Sequence, residues 1–148
     1  MTGWLLDTNA LSAFAPGKRP ISDEITIWFE DRTDTLFLST VTAAEIEAGI
    51  AQLRRMGAAR RADNLREWFD RILDAYAERI LSFDLLAARI AGKIGDAALA
   101  VGRHPGFPDV AIAAIAMSRD LVVLTLNRRH FDALGVEVFN PFPPYSGG

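Results

Sequence analysis

Four positions in the sequence could do chemistry together: Asp7, Glu45, Asp109 and Asn127. Each lies at the edge of an apolar run. Asp7 closes Trp4-Leu5-Leu6, and Asp109 follows Pro108 at the head of an apolar segment. Glu45 falls past Leu36–Ser39, in the first turn of a helix that should open around Thr42; Asn127 comes just after Leu121–Thr125. Singly, each has a local explanation. Thr42-x-x-Glu45 matches a capping box, Asp7 and Asp109 suit helix caps or the helix dipole, and Asn127 suits a turn. Gathered on one rim, the three acids need more than capping. Two carboxylates about 4 Å apart repel by about 4 kcal/mol at an effective dielectric of about 20, whereas a cap returns only about 1 kcal/mol. A divalent cation would justify the gathering, because it takes hard oxygen ligands and leaves positions for water and phosphate. Held there, it would lower the pKa of a bound water.

The surrounding pattern supplies such a rim. Short apolar runs at Trp4–Leu6, Leu36–Ser39, Arg79–Phe83, Leu121–Thr125 and Val136–Phe139 read as strands. Continuous rather than alternating hydrophobicity suits strands covered on both faces. Between them lie helical patterns. Leu65, Trp68, Phe69, Ile72, Leu73 and Tyr76 recur at helical spacing, as do Leu86, Ile90, Ile94, Ala97 and Val101. Residues 109–119 are apolar almost all round, which predicts a buried central helix. Strand–helix alternation predicts an α/β fold on a mostly parallel sheet of about five short strands. Ligands of such sheets bind beyond the carboxyl ends of the strands, where all four polar positions fall.

Composition narrows the chemistry. The 148 residues suit one domain, expected over 1–140, with a Pro/Gly-rich, non-regular tail over 141–148. Without cysteine there is no disulfide framework, thiolate zinc module or cysteine nucleophile, and two histidines cannot form a three-histidine zinc site. No apolar run approaches the ~20 residues needed to cross a bilayer, and an acid at Asp7 breaks any signal-peptide pattern. A cytoplasmic protein without a membrane anchor is the expectation. A net charge of −3 argues against coating nucleic acid broadly while leaving room for a local basic patch.

The segments LLDTNALS (5–12), LFLSTVTAAEIEAGI (36–50), FPDVAIAAIA (107–116) and LVVLTLNRRHF (121–131), in this order and spacing, resemble the PIN-domain ribonucleases, specifically the VapC-type toxins of bacterial toxin–antitoxin pairs. The resemblance spans nearly the whole chain. It implies a three-layer α/β/α fold, a homodimer, an RNA substrate and an antitoxin partner that blocks the site. It also implies that Asp7, Glu45 and Asp109 ligate Mg²⁺ or Mn²⁺. The chain departs from the fullest pattern after the fourth strand, where members often carry an acid: here Asn127 and His130 stand. Asn127 could still position a phosphate or a metal-bound water through its amide.

Around this centre, Thr8 and Asn9 are candidates to orient Asp7, and Thr125 to hold a phosphate oxygen or a metal-bound water. Arg128 and Arg129 are candidates for the RNA backbone, since guanidinium matches phosphate bidentately. The arginines at 54, 55, 60, 61, 66 and 71 read as a solvated helical face, and Trp4, Trp28, Trp68 and Phe69 as structural. Asp96, mid-helix, reads as solvated, and His104 and His130 as surface residues without a catalytic role. Two competing readings remain. A haloacid-dehalogenase-like phosphatase with Asp7 as nucleophile lacks its second Asp, since Asn9 stands there. A non-catalytic nucleic-acid or protein-binding module would reduce the acids to caps.

Overall fold

The computed structural model describes residues 1–142, so the expected tail lies outside the described residues beyond Phe142. Strand β1 (Gly3–Leu6) is central, flanked by β2 (Leu36–Ser39) and β4 (Leu121–Leu124), with β3 (Ile80–Leu81) and β5 (Val138–Phe139) outermost. The order is β3-β2-β1-β4-β5, and every pairing is parallel. The chain builds outward from β1 to β3, then returns to add β4 on the other side of β1. That reversal makes the carboxyl ends of β1 and β4 the crevice of the sheet.

Alternation along the strands divides two cores. Leu5 and Val123 point to one face; Leu6, Leu124, Leu36 and Leu38 point to the other. Helices α1 (Thr8–Ser12), α2 (Asp23–Glu30), α3 (Thr40–Arg55) and α4 (Ala59–Tyr76) cover the second face, where Phe29 and Phe69 are buried. Helices α5 (Leu85–Ala100) and α6 (Phe107–Ser118) cover the first. The result is the expected three-layer α/β/α arrangement.

The local fits mostly follow the pattern. In α4, Leu65, Trp68, Phe69, Ile72, Leu73 and Tyr76 line one core, each large side chain contributing about 1.5–3 kcal/mol when fully buried. Trp4 and Trp28 pack edge to face at 5.3 Å within the same layer. In α6, Val110 through Ala116 are all buried, as the all-round apolarity predicts. The stripe on α5 is shifted. Ala87, Ala91 and Ala98 face the core beside Ile90 and Ile94, while Leu86, Ala97 and Val101 of the expected stripe are exposed. Alanines let α5 approach the equally small α6 closely, so they take the interface and the larger residues turn outward.

Several boundaries differ from expectation: the third strand ends at Leu81 rather than Phe83, and the fifth holds only Val138 and Phe139. Arg79 belongs to a 3-10 turn before β3, because its guanidinium donates to the carbonyls of Thr33 (2.6 Å) and Leu36 (2.7 Å) and cannot leave them. Helix α2 does not stand out by periodicity, although Ser22 caps it and Asp23 and Glu24 occupy its first turn. Helix α3 opens at Thr40 rather than Thr42, since the Ser39 side chain accepts from the Thr42 amide at 3.1 Å. The capping-box reading of Thr42 and Glu45 is therefore corrected: Thr42 lies inside the helix, and Glu45 sits in its second turn. No helix among the described residues is long and apolar enough to cross a membrane.

Candidate metal centre

Strand β1 delivers Asp7 into the crevice. Its amide donates to the Leu124 carbonyl at 3.0 Å, extending the β1–β4 pairing by one residue. The chain then turns into α1, and the Asp7 carboxylate caps that helix by accepting from the Ala10 amide at 2.8 Å. The capping role of Asp7 is thus real. It does not explain the position, because the residue is 3% exposed, and an ionised carboxylate buried to this degree is costly. Burial pushes its carboxyl up to about 6, and the charge of Asp109 adds to this. Hydrogen bonds from Thr125 and Ala10, and the proximity of His130, pull the other way.

Asp109 arrives from the opposite direction, in the first turn of α6, whose N-cap Gly106 supplies no side-chain cap. The cap reading of Asp109 is therefore not met, while its place in the first turn is one the helix dipole favours. Its carboxyl is half-buried and raised from the ordinary aspartate range, first by burial and also by Glu45, with His130 opposing. The imidazole Nδ1 of His130 stands 3.4 Å from Asp109 Oδ2. Glu45 is exposed, and its Oε1 accepts from the Thr8 hydroxyl at 2.5 Å. With that proton committed, the Thr42 hydroxyl, 3.0 Å away, donates to Thr8, and Ser39 donates to Thr42 at 3.4 Å. A one-way chain of hydroxyls thus runs from the end of β2 to Glu45.

The acids therefore meet as a series: Asp7 interacts with Asp109, and Asp109 with Glu45. Among the described residues, no three carboxylates or imidazoles close into a ready metal-holding group. The donors are hard oxygens, the type a divalent cation of the Mg²⁺ or Mn²⁺ class takes. One of them is already desolvated, so its charge is worth most to a cation.

The surrounding candidates separate. Thr8 supports Glu45 rather than Asp7, which corrects its expected role. Thr125 is fully buried, hydrogen-bonded to Asp7 and accepting from the Asn127 amide at 3.0 Å. So enclosed, it is placed to orient the Asp7 carboxylate. Asn9, Asn127, Arg128 and Arg129 are exposed at the crevice ends of their strands. Asn127 precedes a 3-10 helix over Arg128–Leu134 without a side-chain cap bond, its carbonyl accepting from the His130 amide at 3.1 Å. Arg66 bonds Glu47 and Asp70, and Arg54 pairs with Asp63, so part of the basic helical face is an ion-paired surface. The apposition of His130 to Asp109 was not legible in the sequence, because it forms only when the turn after β4 folds back over the head of α6.

Residues 4–137 match the model of the PIN domain. The chain belongs to the PIN domain family. It is 36% identical to the plasmid stability protein StbB of Pseudomonas syringae pv. tomato, over 93% of this chain and 97% of that protein. It is 32% identical to the VapC ribonuclease Y4jK of Sinorhizobium fredii, over 95% of this chain and 98% of that protein. Among solved structures, FitAcB from Neisseria gonorrhoeae superposes with a TM-score of 0.77 at 35% identity, covering 93% of this chain and 97% of that one. The resemblance to VapC-type toxins is borne out, as is the α/β class of the fold.

Proposed function

We propose that this PIN-domain chain is a metal-dependent endoribonuclease toxin, neutralised by a cognate antitoxin and acting as a homodimer, with residues 1–140 as the nuclease domain. The observation that carries the reading is the buried Asp7 at the β1–β4 crevice, raised to about 6 and facing Asp109. A charge kept there at neutral pH calls for a cation. Full-length similarity to a protein named as a VapC ribonuclease supports the same chemistry.

In this reading Asp7 and Asp109 hold Mg²⁺ or Mn²⁺, and Glu45 completes the oxygen set directly or through water. When bound, the cation polarises a phosphoryl oxygen and brings a coordinated water toward ionisation near neutral pH. The chain's own groups do the rest. Thr125 and the Ala10 amide fix the Asp7 carboxylate, and the hydroxyl chain through Thr8 aims Glu45. Asn127 offers an amide toward the phosphate without adding charge. Arg128 and Arg129 stand where they can meet the RNA backbone, with Asn9 exposed in α1. Hydrolysis in line leaves a 5′-phosphate and a 3′-hydroxyl, and no residue becomes covalently attached.

The test is Mn²⁺ calorimetry beside an RNA cleavage assay on the parent, Asp7→Asn, Glu45→Gln and Asp109→Asn. The aspartate variants should lose measurable Mn²⁺ binding and more than about 10³-fold in cleavage, without additivity in the double variant, since such a site works as a unit. Full cleavage by Asp7→Asn would falsify the assignment.

A further inference from the structure

Beside the acids lies a cavity lined largely by basic side chains. It has a volume of about 320 Å³ and is walled by Arg103, His104, Arg129 and His130, with Asp109 at its edge. Its walls come from two separate elements: the loop between α5 and α6, and the 3-10 turn after β4. The Arg103 guanidinium joins them by donating to the Arg129 carbonyl at 3.5 Å. Among the described residues neither Arg103 nor Arg129 is paired with a carboxylate, in contrast to Arg54 and Arg66 on the far layer. Two such guanidiniums and two imidazoles therefore converge on a concave space against the one wall acid, Asp109, which already has His130 at 3.4 Å.

We propose that this cavity is a nucleotide subsite, receiving the residue of the RNA chain next to the scissile phosphate, with the flanking phosphodiester held jointly by Arg103 and Arg129. The inference rests on the nuclease reading above and adds to it a place for the substrate outside the acids. Three features select this ligand. Planar guanidinium forks match phosphate oxygens. The volume falls at the lower end of small-ligand sites, about 300–1,000 Å³, which is room for a nucleotide rather than for a bare ion. Position decides the rest: Asp109 is shared between the cavity and the acid series, so a chain seated on one continues into the other. His104, exposed at the mouth, offers an imidazole face on which an unstacked base can lie. Arg128 does not line the cavity, which divides the neighbouring arginines into one that enters the subsite and one that does not.

The experiment uses the full chain and a single-stranded RNA that the parent cleaves. Arg103→Ala and Arg129→Ala should each raise KM about 10-fold with kcat within about 2-fold, the loss expected of binding shared by ground and transition states. Because both groups hold one phosphate, the slope of log affinity against log salt should become shallower by about 0.7 in the double variant, the value for one contact on a single strand. Arg103→Lys should recover only part of the loss, since it restores charge without the fork. Arg60→Ala removes the same charge from the far layer and should leave KM and slope at parent values. The proposal is overturned if the parent cleaves RNA but the Arg103 and Arg129 variants keep its KM and salt slope. It is equally overturned if those variants weaken only the complex with the antitoxin, which would make the cavity a protein-binding one. Failure of the nuclease reading shows differently, as a parent that neither cleaves RNA nor binds Mn²⁺ through Asp7.

Discussion

Helices α6 and α3 each carry an acid to the same crevice, and they do so in opposite ways. Helix α6 is buried from Val110 to Ala116, on a run of alanines and isoleucines with no polar face. Helix α3 is amphipathic, burying only Thr42, Ile46 and Ile50. Packing at crystal-like density fixes a helix so enclosed, and Asp109 in its first turn inherits that rigidity. Glu45 sits on the exposed side of α3 at the end of a longer side chain, and what aims it is a hydroxyl. The centre thus combines two carboxylates set by the core, Asp7 and Asp109, with one set by a hydrogen bond that a ligand can exchange.

The largest effect that separates the two kinds of acid is on stability against pH. Asp7 titrates at about 6 in the folded chain and near 3.9 when unfolded. Its folded value is raised, so the folded state holds the proton more tightly. The stability this contributes is complete below about pH 4 and is lost as pH rises through about 6, by about 3 kcal/mol in total. Asp109, also raised by burial, acts in the same direction. Asp7→Asn should therefore make the metal-free protein more stable than the parent at pH 8 and change little at pH 4. Glu45→Gln should track the parent within about 0.5 kcal/mol, as surface substitutions usually do. Denaturant titrations at the two pH values decide this. Excess Mn²⁺ should erase the advantage of Asp7→Asn, since a ligand at 100 times its Kd adds about 2.7 kcal/mol to the form that binds it.

The second effect breaks the comparison through packing. Ala113 is fully buried in α6, whereas Ala48 lies on the exposed side of α3. Ala113→Leu overfills the core in which α6 is buried, which costs about 1–3 kcal/mol. It should lower the melting temperature by roughly 2–4 °C per kcal/mol and weaken Mn²⁺ binding with it, because displacing α6 moves Asp109. Ala48→Leu should leave both unchanged. Equal loss in the two variants would show that α3 is as tightly held as α6.

This contrast also explains what the sequence could tell. The fold was legible because the strands are continuous apolar runs and α6 has no polar face, so pattern alone decides their burial. Asp7 and Asp109 were legible for the same reason: each is the polar residue at the end of such a run. Glu45 was legible as a position but not as a geometry, because the competing caps Ser39 and Thr42 lie three residues apart and only the fold chooses Ser39. Thr125 reads from sequence as an open strand end, yet the β1–β4 register sets it beside Asp7 and it is fully buried. The cavity of Arg103 and Arg129 joins loops 26 residues apart. No local periodicity encodes that meeting.

The smallest effect concerns the hydroxyl that aims Glu45. In the folded chain Thr8 donates to Glu45 and receives from Thr42, a side chain with no exposure. Thr8→Val keeps the shape and removes both functions. Thr42 is then left without its acceptor, and a buried polar group that loses its partner costs about 1–3 kcal/mol; Ser39, 3.4 Å away, can take up part of this. Glu45 remains exposed, free to reach a cation by rotation, so the variant loses only its pre-set aim. Mn²⁺ affinity should weaken by less than about 10-fold, at or below the low end of the ~10–100-fold range for partners that orient metal ligands and far below the loss in Asp7→Asn. Thr8→Ser should restore the parent value, because the hydroxyl alone is at issue. If Thr8→Val instead matches Asp7→Asn in calorimetry, Glu45 is held as rigidly as the buried acids, and the division between core-set and hydroxyl-set ligands fails.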